Sequence, residues 1–437
     1  MARIDYRVAP GGRLRGSVEV PGDKSVSHRV VMLGAIAEGT TEAEGFLEGE
    51  DALATVAAFR AMGVEIEGPR EGCIRVHGVG LHGLRPPEGP LDLGNSGTSM
   101  RLLAGLLAAQ PFDTVLTGDA SLRRRPMRRV TQPLQLMGAR IETTPEGTAP
   151  LVIRGRRRLA GIHYPMPVAS AQVKSALLLA GLYAEGRTCV VEPAPTRDHT
   201  ERMLAAFGAP VRFGDGTACV EGGARLRGRR VLVPGDLSSA AFLLVGATIA
   251  PGSELELRGV GVNPTRTGVL HILRAMGAEI EVLDPREAGG EPVADLRVRH
   301  APLRGIEIPP EWVPLAIDEF PAVFVAAACA EGETVLRGAA ELRVKESDRI
   351  AAMAEALQGV GIEARPLPDG IVVRGGRIRG GSVWSHGDHR VAMAMAVAAL
   401  RAEGTVLVRD CAAVATSFPG FAELAARLGL GIETVVR

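Results

Sequence analysis

Met276-Gly277-Ala278-Glu279-Ile280 closes a run of apolar residues with helical spacing, and five other stretches of the chain read the same way. They are Met62-Gly63-Val64-Glu65-Ile66, Met137-Gly138-Ala139-Arg140-Ile141, Phe207-Gly208-Ala209-Pro210-Val211, Gln358-Gly359-Val360-Gly361-Ile362 and Leu428-Gly429-Leu430-Gly431-Ile432. In each, a bulky residue or Gln precedes a glycine, and an aliphatic residue follows two or three places later. A glycine so placed takes the left-handed conformation that ends a helix, and the aliphatic residue opens a strand. The glycines recur at intervals of roughly 70–80 residues, the mark of a repeat architecture. Six α/β units therefore fill the 437 residues.

Each unit runs from a polar cluster into an Ala/Leu/Val-rich helix, then through a strand to a second helix, the glycine and further strand. The polar starts are Lys24-Ser25, Asn95-Ser96-Gly97, Ser170-Ala171-Gln172, Ser238-Ser239, Asp318-Glu319 and Asp388-His389-Arg390. One such start is an ordinary helix cap. Six in register suggest more, because helix N-termini expose unpaired amides and partial positive charge that bind anions. Val20-Pro21-Gly22-Asp23 and Val233-Pro234-Gly235-Asp236 match, each just before the first helix of a three-unit half. They read as two hinge crossings between a domain of residues 21–234 and one of residues 235–437 with 1–20.

Composition narrows the function. Hydrophobic residues at 46% and charged residues at 23% describe a globular chain, and no apolar run approaches a membrane span. The opening Met1-Ala2-Arg3-Ile4-Asp5-Tyr6 lacks a secretory signal's apolar block, so a cytoplasmic protein is expected. Cys73, Cys189, Cys219, Cys329 and Cys411 are scattered, and all five are expected to be ordinary buried residues in a reducing compartment. Zero net charge and 3% aromatics argue against nucleic acid or an anionic membrane as partner. No nucleotide-binding glycine motif or metal-ligand spacing occurs, and neither cofactor nor metal is expected. Of the 50 basic residues only Lys24, Lys174 and Lys345 are lysine. An ammonium can shift its pKa and pass a proton where a guanidinium cannot, which singles out all three.

Lys24, Ser25 and Arg29 fall within about one turn of a helix start, a place suited to phosphate or carboxylate. Gly94-Asn95-Ser96-Gly97-Thr98 offers exposed amides, and Ser170, Gln172 and Lys174 add a hydroxyl, an amide and an ammonium. Of Arg123, Arg124 and Arg125, a run normally solvated, one is expected to be functional. Arg343-Val344-Lys345-Glu346-Ser347-Asp348-Arg349, with Asp318, Glu319, His389 and Arg390, mixes acids with cations as general acid–base work at neutral pH requires.

Through these motifs, with Arg125-Pro126 and Asp388-His389-Arg390, the chain strongly resembles the 5-enolpyruvylshikimate 3-phosphate synthase family over nearly its whole length. Ala169 to Ala176 and Thr196-Arg197-Asp198-His199-Thr200 resemble the bacterial class II subgroup. The resemblance implies two inside-out α/β barrel-like domains, each of three βαβαββ-type units, closing on shikimate 3-phosphate and phosphoenolpyruvate. It implies that Lys24, Ser25, Arg29, Ser170, Gln172, Arg197, Asp318 and Lys345 hold the shikimate ligand. It places Lys24, Asn95, Gly97, Arg125, Gln172, Glu346, Arg349, His389 and Arg390 around phosphoenolpyruvate, with Lys24, Asp318 and Glu346 catalytic. It further implies a monomer and sensitivity to glyphosate, since Gly97 carries no methyl group. Thr416 stands where many members have Lys, and Arg197 where others have Tyr.

The nearest alternative is the sister transferase acting on UDP-N-acetylglucosamine. That family usually carries a reactive Cys in the loop matching Gly118 to Pro126, and none occurs here. An RNA 3′-phosphate cyclase-like protein or a non-catalytic binder is the alternative from another class.

Overall fold

The computed structural model describes residues 4–155 and 158–437. Its α-helices fall into six successive pairs: α1 (Lys24–Ala35) and α2 (Glu50–Ala61), α3 (Gly97–Leu107) and α4 (Arg128–Leu136), α5 (Ala171–Gly181) and α6 (His199–Ala206), α7 (Leu237–Ile249) and α8 (Gly268–Met276), α9 (Phe320–Ala328) and α10 (Arg349–Gly359), α11 (His389–Ala398) and α12 (Phe421–Leu428). A strand separates the helices of every pair and at least one more follows, so the expected unit is present six times.

Composition decides which helix of a pair lies inside. Every residue of α7, α9 and α11 is buried. Such helices have no face for water, so they pack on one another in the middle. The second helices are amphipathic: α8 buries Val269, Leu270, Ile272, Leu273 and Met276 but leaves His271 and Arg274 exposed. Across α3 and α5 the approach is close enough that a Cβ on Gly105 would stand 2.1 Å from the Ala176 carbonyl oxygen.

Sheets cover these helices in one repeated topology. In the first, the order is Arg230–Leu232, Glu38–Glu44, Cys73–Val79, Glu65–Arg70, with the outer strand parallel and the rest antiparallel. The sheet of the last unit repeats this order with a strand from the far end of the chain: Ile4–Gly12 lies between Val406–Arg409 and Leu430–Val436, antiparallel to both.

The chain divides into two compact units, each with its own core. One comprises Gly22–Pro234 with Glu287–Glu291, the other Met1–Pro21, Gly235–Arg286 and Pro292–Arg437. The short stretch from Glu287 thus groups with the unit that the sequence reading bounded at residues 21–234.

Two expectations need correction. Gly63, Gly138, Gly208, Gly277 and Gly429 have φ of 83°, 100°, 92°, 108° and 113°, as helix-ending glycines should, but Gly359 does not. It is the last residue of α10, and the left-handed position is Gly361 with φ 89°. The Gly361 amide bonds the Gln358 carbonyl as Gly277 bonds Arg274, so Val360-Gly361 is the true fifth copy. Nor are all cysteines ordinary buried residues. Cys189 and Cys219 lie opposite each other on antiparallel strands Arg187–Val191 and Thr217–Glu221, Cα atoms 4.1 Å apart, and form a disulfide. Cys73 is exposed, Cys329 half-buried and Cys411 buried. No helix among the described residues is long and apolar enough to cross a membrane.

Candidate active site

In the unit built on α1–α6, three helix starts are fixed by side-chain caps. Asp23 accepts from the Val26 amide at 2.9 Å, Ser96 from Ser99 at 3.1 Å and Ser170 from Val173 at 3.4 Å. With one amide of each first turn satisfied, the others remain for an anion. Lys24, first in α1, sets its Nζ 2.9 Å from Asp51 Oδ2 on α2. Ser25 is half-buried beside it. Arg29, one turn on, is buried: Nη1 donates to the Ser25 carbonyl at 2.9 Å, Nε to Thr200 Oγ1 at 2.7 Å and Nη2 to Ser175 Oγ at 2.9 Å. Burial lowers its pKa to about 10, which leaves it cationic at neutral pH.

The start of α3 gathers a second group. A Cβ on Gly97 would lie 3.0 Å from Nη1 of both Arg101 and Arg125, so those guanidiniums flank it. Arg125 Nη2 donates to Asn95 Oδ1 and, at 3.3 Å, to Ser121 Oγ. Arg101 Nη1 donates to Gln172 Oε1 at 2.6 Å, and Gln172 Nε2 to Thr98 Oγ1 at 3.1 Å, which brings the start of α5 against that of α3. Arg125 is buried while Arg123 and Arg124 are exposed, which picks out one of the three. Beneath runs a buried relay: His28 Nδ1 to Thr55 Oγ1 at 2.7 Å, Thr55 to Ser99 at 2.7 Å, Ser99 to Ser96 at 2.6 Å. Burial first, then Lys24 and Arg29, push the His28 pKa well below its ordinary value, so the ring is neutral. Arg197 is half-buried just before α6.

In the unit built on α7–α12, Arg349 is the hub. Its side chain is 1% exposed; Nε reaches Asp388 Oδ2 at 2.8 Å, Nη1 reaches Asp318 Oδ1 at 3.2 Å and Nη2 reaches Glu346 Oε2 at 2.6 Å. Lys345 Nζ lies 3.4 Å from the same Asp318 oxygen, and Arg390 Nη1 donates to the Asp318 carbonyl at 3.0 Å. Asp388 caps α11 through the Arg390 amide at 2.9 Å and accepts from Ser347 Oγ at 3.0 Å. Burial alone would raise the Asp388 carboxyl, but Arg349 holds it below its ordinary value. Burial would likewise depress Arg349, yet Asp388, Glu346 and Asp318 raise it. His389 is buried in the first turn of α11.

Sequence reasoning gave Asp51 and Arg101 no role and named Asp388 only as a helix start, not as the partner of Arg349. Arg101 had a signal, standing four residues after Gly97 on one helix face. Asp51 had none, since only the packing of α2 on α1 brings it to Lys24. Thr416 is buried, its hydroxyl turned to the Ala413 carbonyl at 2.7 Å. Hollows of about 510 and 750 Å³, one lined by Phe418, Pro419 and Arg427, the other by Arg15, Glu254 and Arg297, hold none of the predicted site residues. Among the described residues Glu65, Glu67 and His77 could meet a metal ion, but Arg75 and His77 already bridge Glu67 at 3.0 and 2.8 Å, as in a surface charge network.

A repeat-built α/β protein with ionised side chains at capped helix starts belongs with proteins that handle small anions. The family profile described as EPSP synthase (3-phosphoshikimate 1-carboxyvinyltransferase) matches residues 8–424. The chain is 69% identical over 430 residues to the 3-phosphoshikimate 1-carboxyvinyltransferase of Methylococcus capsulatus, covering 98% of each. With that of Halorhodospira halophila it is also 69% identical, covering 98% of this chain and 97% of the other. A solved EPSP synthase from Acinetobacter baumannii superposes with a TM-score of 0.89 at 56% identity, covering 99% of this chain and 100% of that one. The enolpyruvyl transferase NikO from Streptomyces tendae, at 19% identity and TM-score 0.81 over the full length of both chains, shares the fold. The chain belongs to the EPSP synthase family.

Proposed function

We propose that this chain transfers the enolpyruvyl group of phosphoenolpyruvate to the 5-hydroxyl of shikimate 3-phosphate and releases phosphate. The observation that carries the reading is one guanidinium, Arg349, holding the carboxylates of Asp318 and Glu346 at 3.2 and 2.6 Å, in a chain 69% identical to relatives of that name. Asp318 accepts the hydroxyl proton as the oxygen attacks C2 of phosphoenolpyruvate. A proton reaches the C3 methylene in the same step, so C2 never carries an unsupported charge. Glu346 and Lys24 handle that proton, and when the bond to phosphate breaks a methyl proton leaves and the enol ether forms. Arginines offset the carboxylate and phosphate charges throughout.

Lys24, Ser25, Arg29, Ser170, Gln172, Arg197, Asp318 and Lys345 hold shikimate 3-phosphate in this reading. Lys24, Asn95, Gly97, Arg125, Gln172, Arg349, His389 and Arg390 hold phosphoenolpyruvate. The buried cations and capped helix starts support these assignments, as does the exposure of Arg123 and Arg124 beside buried Arg125. The protein works as a cytoplasmic monomer. Phosphate release is measured with phosphoenolpyruvate plus either shikimate 3-phosphate or UDP-N-acetylglucosamine. Release with the first acceptor alone is expected, and release only with the second would overturn the proposal.

A further inference from the structure

Of the three lysines in an otherwise arginine-only set of basic residues, Lys24 and Lys345 sit among the substrate-facing groups and Lys174 does not. Its side chain is 2% exposed on α5, and Nζ has three acceptors: Glu192 Oε1 at 2.8 Å, Glu201 Oε1 at 2.6 Å and the Thr196 carbonyl at 3.4 Å. An ammonium has three protons, so all are used. The acceptors come from one segment. Glu192 opens it after strand Arg187–Val191, Thr196 directly precedes Arg197, and Glu201 lies in the first turn of α6. Thr196 Oγ1 also donates to Glu192 Oε1. Next on α5, Ser175 Oγ accepts from Thr200 Oγ1 at 2.7 Å, tying the far side of Arg197 to the same helix. A planar, longer guanidinium could not close on three acceptors around one point, which accounts for lysine here.

We infer that Lys174 is a positioning residue: its buried ammonium clamps residues 192–201 onto α5 and so sets where Arg197 meets shikimate 3-phosphate. The inference rests on the proposed function for the ligand but not for the clamp. Lys174→Met alone strands two buried carboxylates, so the test uses Lys174→Met/Glu201→Gln, which removes one charge of each sign. Glu192→Gln is the second variant, taking away one arm and leaving the ion pair to Glu201.

Both variants are expected to raise KM for shikimate 3-phosphate, the first on the order of tenfold or more, with kcat and KM for phosphoenolpyruvate changed by less than about twofold. In an Arg197→Ala background the same substitutions are expected to add less than about twofold, because the group they position is gone. An equal rise in both backgrounds, or no rise in either, overturns the inference. Hydrogen exchange of residues 192–201, read without substrate, is expected to speed up in the variants, and unchanged exchange also overturns it. If the parent chain does not turn over shikimate 3-phosphate while the variants loosen this segment, the proposed function falls and the clamp stands.

Discussion

Replacing Arg349 by Met should reverse the sign of a pH dependence. In the native chain its guanidinium lies 2.8 Å from Asp388, whose side chain is 0% exposed, whereas Asp318 and Glu346 keep 17% and 19% exposure. The two partly exposed acids can turn to water when the cation goes; Asp388 cannot. The loss should therefore be that of one broken buried pair, about 3–5 kcal/mol at pH 7.5, or about 6–20 °C in melting temperature for a unit of this size. Native Asp388 has a depressed folded-state pKa, so its contribution is present at neutral pH and is lost only as pH falls below about 4. Without Arg349, burial dominates and the folded-state pKa rises above the unfolded one. The variant should then gain stability on acidification, by about 1.4 kcal/mol per pH unit between the raised pKa and about pH 4. Urea unfolding followed by fluorescence reads this unit directly, since both tryptophans, Trp312 and Trp384, belong to it. A loss below about 1 kcal/mol at pH 7.5, or a variant midpoint that falls between pH 7 and 5, would refute the reasoning.

Other outcomes follow from the unit built on α1–α6. Neutral, buried His28 should cost stability as pH falls below about 6.5, because the unfolded chain takes up a proton that the folded one refuses, and His28→Gln should remove about 1.4 kcal/mol per pH unit from that slope. Arg125→Ala should cost on the order of a hundredfold or more in kcat/KM for phosphoenolpyruvate, with Arg123→Ala and Arg124→Ala within about twofold; equal losses at all three would contradict the burial argument. Glyphosate should inhibit the native chain competitively with phosphoenolpyruvate. Gly97→Ala places a methyl group 3.0 Å from Nη1 of Arg101 and Arg125, flexible ends that can shift, so the inhibition constant should rise more than KM for phosphoenolpyruvate.

The repeat was legible because a helix end is a local event. A glycine with φ near 100° leaves its trace within five residues, and a polar start leaves one within three. The fifth copy misled because Gln358-Gly359-Val360-Gly361 offers two glycines, and only hydrogen bonding to the last helical turn tells them apart. Lys24, Gln172, Glu346 and Arg349 could be singled out as types in a pattern. Their pairings could not: Asp51 meets Lys24, Arg101 meets Gln172 and Asp388 meets Arg349 only through helix packing, and Cys189 faces Cys219 only through strand register. Lys174 marks the boundary, since its rarity was visible while Glu192 and Glu201 were not.

Strand Ile4–Gly12 has a consequence for biosynthesis. It leaves the ribosome long before its two neighbours, Val406–Arg409 and Leu430–Val436, with Ile4 opposite Val436. The unit of Gly22–Pro234 can assemble most of its core during translation, while the other must hold an unpaired strand until Val406–Arg409 and Leu430–Val436 are made. That exposed edge is the segment a nascent-chain chaperone would be expected to shelter.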